Sequence, residues 1–391
     1  MVLIYEEGVF RGELDSLNRR FKGCFEYNNG DVFEGEWREE KRYRGRMLFA
    51  NGDSFEGEWT KGEKTAKGVL TFADGDRYEG SFKNNQIHGK GVYTYTCGDR
   101  FEGKWRMGVR ISGKYIFADG TVIKGKTNDK GIICGKCVLT KPDGKKIVGH
   151  MENDKFNGKA SVTYADGGSY NGELLDGFMH GKGVLKRSNG DSYHGEFKKG
   201  TYHGIGILKF GKNDKYVMYR GEFKKGEFCG KGKLVYKDGR RYEGAFKKGE
   251  PNGRGVMKYP NGDKYDGQWK DGLFHGSGVM TYANGDVYDG NWVCDKAEGR
   301  GTMWSADGTR YVGEWSDGKR HGEGYLYKVG EYSYKGSFSQ NMRSGYGVFE
   351  LQDGSKYEGE WLNGNMHGSG VFTDHHGSVL KGRFENNKFI G

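Results

Sequence analysis

The sequence predicts an all-β fold: an elongated single-sheet antiparallel meander of about 17 hairpin units, each ~23 residues long. Three observations predict it. A five-residue pattern recurs along the chain, glycine is too frequent for long helices, and Asn-Gly or Asp-Gly pairs punctuate the pattern at the same period. The recurring pattern is an aromatic or aliphatic residue, any residue, Gly, any residue, then usually Phe or Trp. Its first residues run from Phe10, Phe33, Phe55, Tyr78 and Phe101 through to Tyr334, Tyr357 and Leu380, and twelve of the sixteen intervals are 23 residues. A fixed period of this size means that each unit buries its apolar face against its neighbours only. The array is read as one domain over 1–391, with regular units at 10–122 and 170–391 and degenerate units at 123–169.

Within a unit, Tyr193-His194-Gly195-Glu196-Phe197 alternates with period two and reads as a strand with Tyr193, Gly195 and Phe197 on one face. The glycine between two large side chains leaves room for a neighbouring ring to lie over the backbone. A loop over Lys198–His203 comes next, and then a second strand, Gly206-Ile207-Leu208-Lys209-Phe210. Its apolar position two after the glycine recurs as Phe25, Met47, Leu70, Leu208, Leu234, Met257 and Met280, completing the buried face. Asn29-Gly30, Asn261-Gly262 and Asp307-Gly308 then predict two-residue type I′ turns between units. Two strands per unit at ~4.8 Å advance the chain about 10 Å, which extrapolates to a rod on the order of 150 Å.

The array departs from its pattern twice. Ile123, Thr127, Ile147 and Met151 replace aromatics, which predicts a thinner, less stable stretch and a bend or partner site there. Three residues are added within Gly211–Met218, which predicts an open loop.

Tyr265-Asp266-Gly267-Gln268-Trp269 with His275-Gly276-Ser277-Gly278 resembles a complete MORN repeat, as does Tyr357-Glu358-Gly359-Glu360-Trp361 with His367-Gly368-Ser369-Gly370. Such repeats occur in lipid-kinase, methyltransferase, junctional and cytoskeletal proteins, the larger of which carry a kinase, SET or membrane-anchor segment. This chain looks most like proteins made of the repeats alone, namely protist cytoskeletal scaffolds and ciliary proteins of the radial-spoke type. The resemblance implies a non-enzymatic scaffold with cytoskeletal or ciliary protein partners.

Catalytic, metal and cofactor readings fail on context. Gly120-Thr121-Val122-Ile123-Lys124-Gly125-Lys126-Thr127 matches a P-loop literally, but a P-loop needs a helix after it, and Asn128-Asp129-Lys130-Gly131 follows instead. His88, His180, His203, His275, His321 and His367 form one column, read as loop-packing histidines, because equivalent positions ~10 Å apart cannot share an ion. Cys134 and Cys137 form a lone CxxC without the second pair that a zinc ribbon requires. No cofactor is expected. Six irregular cysteines, no apolar run of membrane-span length and no leader-like segment lead to the expectation of a reduced, cytoplasmic protein, placed at cytoskeleton, cilium or membrane cortex.

Charge is left over. The chain carries +10, and between Lys182 and Lys258 there are 20 Lys/Arg against 8 Asp/Glu. The pairs Lys198-Lys199, Lys224-Lys225 and Lys247-Lys248 occupy the same position in three successive units and should form a ladder along one edge. The bland reading is a solubility device that protects a sheet edge. The functional reading is an anionic partner, so the alternative to the scaffold is a phosphoinositide-binding peripheral membrane protein acting through 182–258. Nucleic acid is not expected, because the rings that would stack on bases belong to the buried face. The last unit, opening at Leu380-Lys381-Gly382-Arg383-Phe384, is read as lacking its second strand, so pairing of C-terminal repeats into a homo-oligomer is expected.

Overall fold

The computed structural model describes all 391 residues, the side chains of Thr65 and Ala66 excepted. Strands form throughout and no helix interrupts them. Packing divides the chain into two compact units, Met1–Ser188 and Asn189–Gly391. Within each, the strands pair antiparallel with their neighbours in sequence, and the repeat glycines sit opposite one another. Gly80 pairs with Gly91 and Gly91 with Gly103 in the first unit; Gly195 pairs with Gly206 and Gly206 with Gly221 in the second.

The glycines face each other because a ring occupies the space above them. A Cβ added to Gly206 would lie 2.4 Å from the Tyr193 hydroxyl oxygen, and one added to Gly195 would lie 2.6 Å from the Cα of Gly206. The covering ring is thus the unit's own leading tyrosine, folded back along its strand, rather than a ring from a neighbouring unit. The Tyr193 hydroxyl lies 2.9 Å from the Glu196 carbonyl and 3.2 Å from the His203 carbonyl, to which it donates. The leading tyrosines of the second unit then each pack edge-on against two other rings. Tyr193 meets Phe197 at 5.0 Å and Phe223 of the following repeat at 5.1 Å; Tyr219 meets Phe223 at 5.0 Å and Phe246 at 5.1 Å. Edge-to-face pairs of this kind contribute about 0.5–1.5 kcal/mol beyond area burial. The result is a herringbone that locks each aromatic-led repeat of the second unit to the next. Leu208, Leu234, Met257 and Met280 complete this buried face, as the alternation requires.

The two turn types are reversed relative to the sequence expectation. At Asn261-Gly262 only Gly262 has positive φ, +98°, and Tyr259 donates to Asp263 while Gly262 donates back to Tyr259. This is a three-residue loop, a type I turn closed by a glycine bulge. Its first residue is Pro260, whose fixed φ suits that position, as does Pro142 in the equivalent turn. The two-residue type I′ turns fall where a longer loop was expected. Lys199 and Gly200 have φ of +50° and +81°, and Lys198 pairs with Thr201. The extra residues of the expected loop go instead into a bulge at the His-Gly-x-Gly motif, where the register slips between Gly195 and Glu196 and Gly204 adopts φ +55°.

Strand pairing continues through the degenerate units, with Ile133, Cys137, Ile147, Met151 and Val162 buried largely in place of rings beside the one ring of Phe156. The added residues fall in a loop over 210–215, shorter than expected because Tyr216, Val217 and Met218 already belong to the strand Tyr216–Lys224. The last repeat does have a second strand, the two residues Lys388–Phe389, with Phe389 paired to Phe384. The premise for exposed C-terminal pairing is therefore weaker than the sequence suggested.

Candidate functional site

The lysine ladder is built on the type I′ turns of the second unit. Lys198, Lys224 and Lys247 end their strands, and by alternation point away from the face that buries Phe197, Phe223 and Phe246. Lys199, Lys225 and Lys248 take the first central position of each turn, with φ of +50°, +53° and +51°. All six are exposed, and no ion pair engages any of them among the described residues. The turns do not move independently. Gly226 donates to the Tyr202 carbonyl at 2.9 Å, and Gly249 to the Phe228 carbonyl at 3.0 Å, so the second and third turns are fastened to the preceding repeat. Rungs spaced by two strands stand about 10 Å apart.

The left-handed backbone favours Gly, Asn and Asp, and other residues hold it at a cost of roughly 1–2 kcal/mol. Elsewhere that first turn position is taken by Asn or Asp at seven turns, Asn84, Asn153, Asp176, Asp271, Asp317, Asn363 and Asn386, and by Glu39, Lys61, Met107, Cys294 and Gln340 at five others. Three successive lysines there run against the local preference. By contrast, Arg240 on the opposite edge is held by Asp238 at 2.8 Å and lies over the Tyr236 ring, so its charge is already engaged.

The other candidates are placed by the fold as follows. The P-loop look-alike forms the strand Val122–Thr127, with Gly120 in a turn at φ +85°. The histidine column lies on strands, at the bulge, rather than in loops; His203 pairs with Glu196, and His321 with Glu314. No group of His, Cys, Asp or Glu side chains among the described residues is arranged to hold a metal. Cys134 and Cys137 are free thiols, and burial pushes the Cys137 thiol above its ordinary range.

The family model for the MORN repeat matches fourteen segments, among them 55–77, 170–192, 265–287 and 357–379. The chain belongs to the MORN-repeat family, and it is a repeat-based binding module. No curated protein matches it. Among solved structures, the TCP10 domain of Danio rerio CPAP is similar at 11% identity, over 74% of this chain and 96% of that one, with a TM-score of 0.17. The TCP domain of Drosophila melanogaster SAS-4, solved with a proline-rich motif of Ana2, shares 12% identity over 57% of this chain and 83% of that one, at TM-score 0.17. A streptogramin B lyase shares 14% identity over 91% of this chain and 88% of that one, at TM-score 0.13. At these TM-scores the likenesses carry no argument about function.

Proposed function

We propose that the chain is a non-enzymatic scaffold of a cytoskeletal or ciliary assembly, holding protein partners on the exposed surface of its sheets. The observation that carries this reading is the repetition of one turn at fixed spacing, fastened to the repeat before it at Gly226, Gly249, Gly272 and Gly318. A surface of that kind offers a partner many weak contacts at once, which add into avidity when their spacing matches. The cytoskeletal or ciliary setting rests on the resemblance to proteins made of these repeats alone.

The lysine ladder supports a second reading, a phosphoinositide-bearing membrane as the anionic partner. Each Lys near an acidic leaflet contributes about 1 kcal/mol, so six aligned lysines suffice for peripheral attachment. One experiment separates the readings. The full chain is mixed with detergent-extracted cytoskeletons and, separately, floated with phosphoinositide liposomes. Sedimentation with the cytoskeletons alone supports the scaffold. Flotation that is lost when the six ladder lysines become Asn, but kept when six lysines outside 182–258 are changed, supports the membrane reading.

A further inference from the structure

The first unit carries a second basic feature, on the sheet face opposite the rings. Between the side chains that precede and follow the repeat glycines runs a groove of about 880 Å³, crossing seven strands from Glu63–Thr71 to Ile133–Thr140. Six lysines line it: Lys67, Lys90, Lys104, Lys124, Lys126 and Lys136. None of them is ion-paired among the described residues. Its one lining carboxylate, Glu79, is held by Arg77 at 2.9 Å, and neighbouring Glu102 is taken by Arg100 at 2.6 Å and Lys114 at 2.7 Å.

The register makes the arrangement costly. Lys90 lies directly opposite Lys104 on adjacent strands, and Lys114 directly opposite Lys124. Like charges across an antiparallel pair destabilise a sheet. In the corresponding groove of the second unit Arg220 also lies opposite Lys233, but there Lys233 is bound to Glu243 at 2.8 Å, and Glu222 lines the groove as well. Solubility does not require lysines to face one another within a groove.

We propose that this groove binds an extended acidic peptide segment of a partner protein, laid across the strands. Six strand spacings of ~4.8 Å give about 29 Å, the length of roughly nine extended residues. The backbone of the floor is already paired within the sheet, so recognition falls to side chains: carboxylates against the lysines, and small apolar groups against Val69 and Val92. A bilayer is flat and would meet the groove's rims before its floor. Nucleic acid would need exposed rings, and the lining has none. Lys124 and Lys126, which gave the sequence its P-loop appearance, here project to the opposite side from Cys137, over which Gly125 sits.

The test is fluorescence anisotropy of the full chain with a fluorescein-labelled peptide of five Glu-Val repeats, against five Gln-Val repeats as the neutral control. The Glu-Val peptide is expected to bind and the Gln-Val peptide to fail. Lys90→Gln, Lys104→Gln and Lys126→Gln together should weaken binding about tenfold, while Lys199→Gln, Lys225→Gln and Lys248→Gln change it by less than about twofold. Equal loss in both variants would reduce the groove to net charge and overturn the proposal. Because the groove variant relieves facing lysines, it should melt no lower than the parent. If it nonetheless fails to fold, the unmutated chain decides: no difference between the two peptides, or displacement of Glu-Val by phosphatidylserine vesicles, overturns the assignment.

Discussion

Gly206 shows at the residue scale why so much glycine is needed. A methyl group there meets the ring of Tyr193, itself wedged between Phe197 and Phe223, so neither partner can retreat. Gly206→Ala should destabilise the second unit by about 1–3 kcal/mol in urea unfolding, whereas Glu196→Ala on the exposed face should stay within ~0.5 kcal/mol. The ladder turns move in the opposite direction. Replacing Lys199, Lys225 and Lys248 by Asn should raise stability by about 0.5 kcal/mol at each site, because Asn tolerates the left-handed backbone better than Lys. The same variant removes half of the ladder's charge. A gain in stability accompanied by loss of anionic binding would mean that these lysines are held for their contacts rather than for the fold. Unchanged stability would remove the argument from strain.

At the element scale, the turns and the rings respond to opposite ends of the pH range. Asp119, Asp166, Asp238, Asp307 and Asp353 accept hydrogen bonds, above all from the backbone N–H two residues on, which holds each carboxyl below its ordinary range. Their contribution is present above the unfolded carboxylate value near 4 and is lost as pH falls through the lower folded values. The buried tyrosines do the reverse. Burial pushes Tyr78, Tyr170 and Tyr311 up to about 12. Their contribution is complete below the unfolded value near 10 and is lost as pH rises through the folded ones. Thermal midpoints should therefore be flat from about pH 5 to 9, then fall below pH 4 and above pH 10. Phenolate absorbance should rise together with unfolding in alkali, and gradual titration of an intact fold would contradict the ring packing.

The sequence was informative about some elements and not others. Period two around Gly195, and the period of ~23, follow from covalent alternation and repetition, so strands and buried face were legible. The turns were not, because Asn-Gly suits both a two-residue and a three-residue hairpin. Pro260 and Pro142, whose φ fits only the latter, were the available signal. The lysine ladder was visible because its residues are adjacent pairs at one repeat position. The groove was not, because its lysines are spread over five strands between 67 and 136, and only the pairing register puts Lys90 beside Lys104.

On the scale of the whole molecule, the proposed binding role is built from many equivalent surface elements. Two basic surfaces on different units, an edge ladder and a groove, would suit attachment of more than one acidic partner. The most direct measurement is the location of a tagged full-length copy in cells before and after detergent extraction. For a scaffold, a discrete cytoskeletal or ciliary pattern that survives extraction is expected. Release of the protein together with the membrane lipids, or a diffuse signal before extraction, would contradict it.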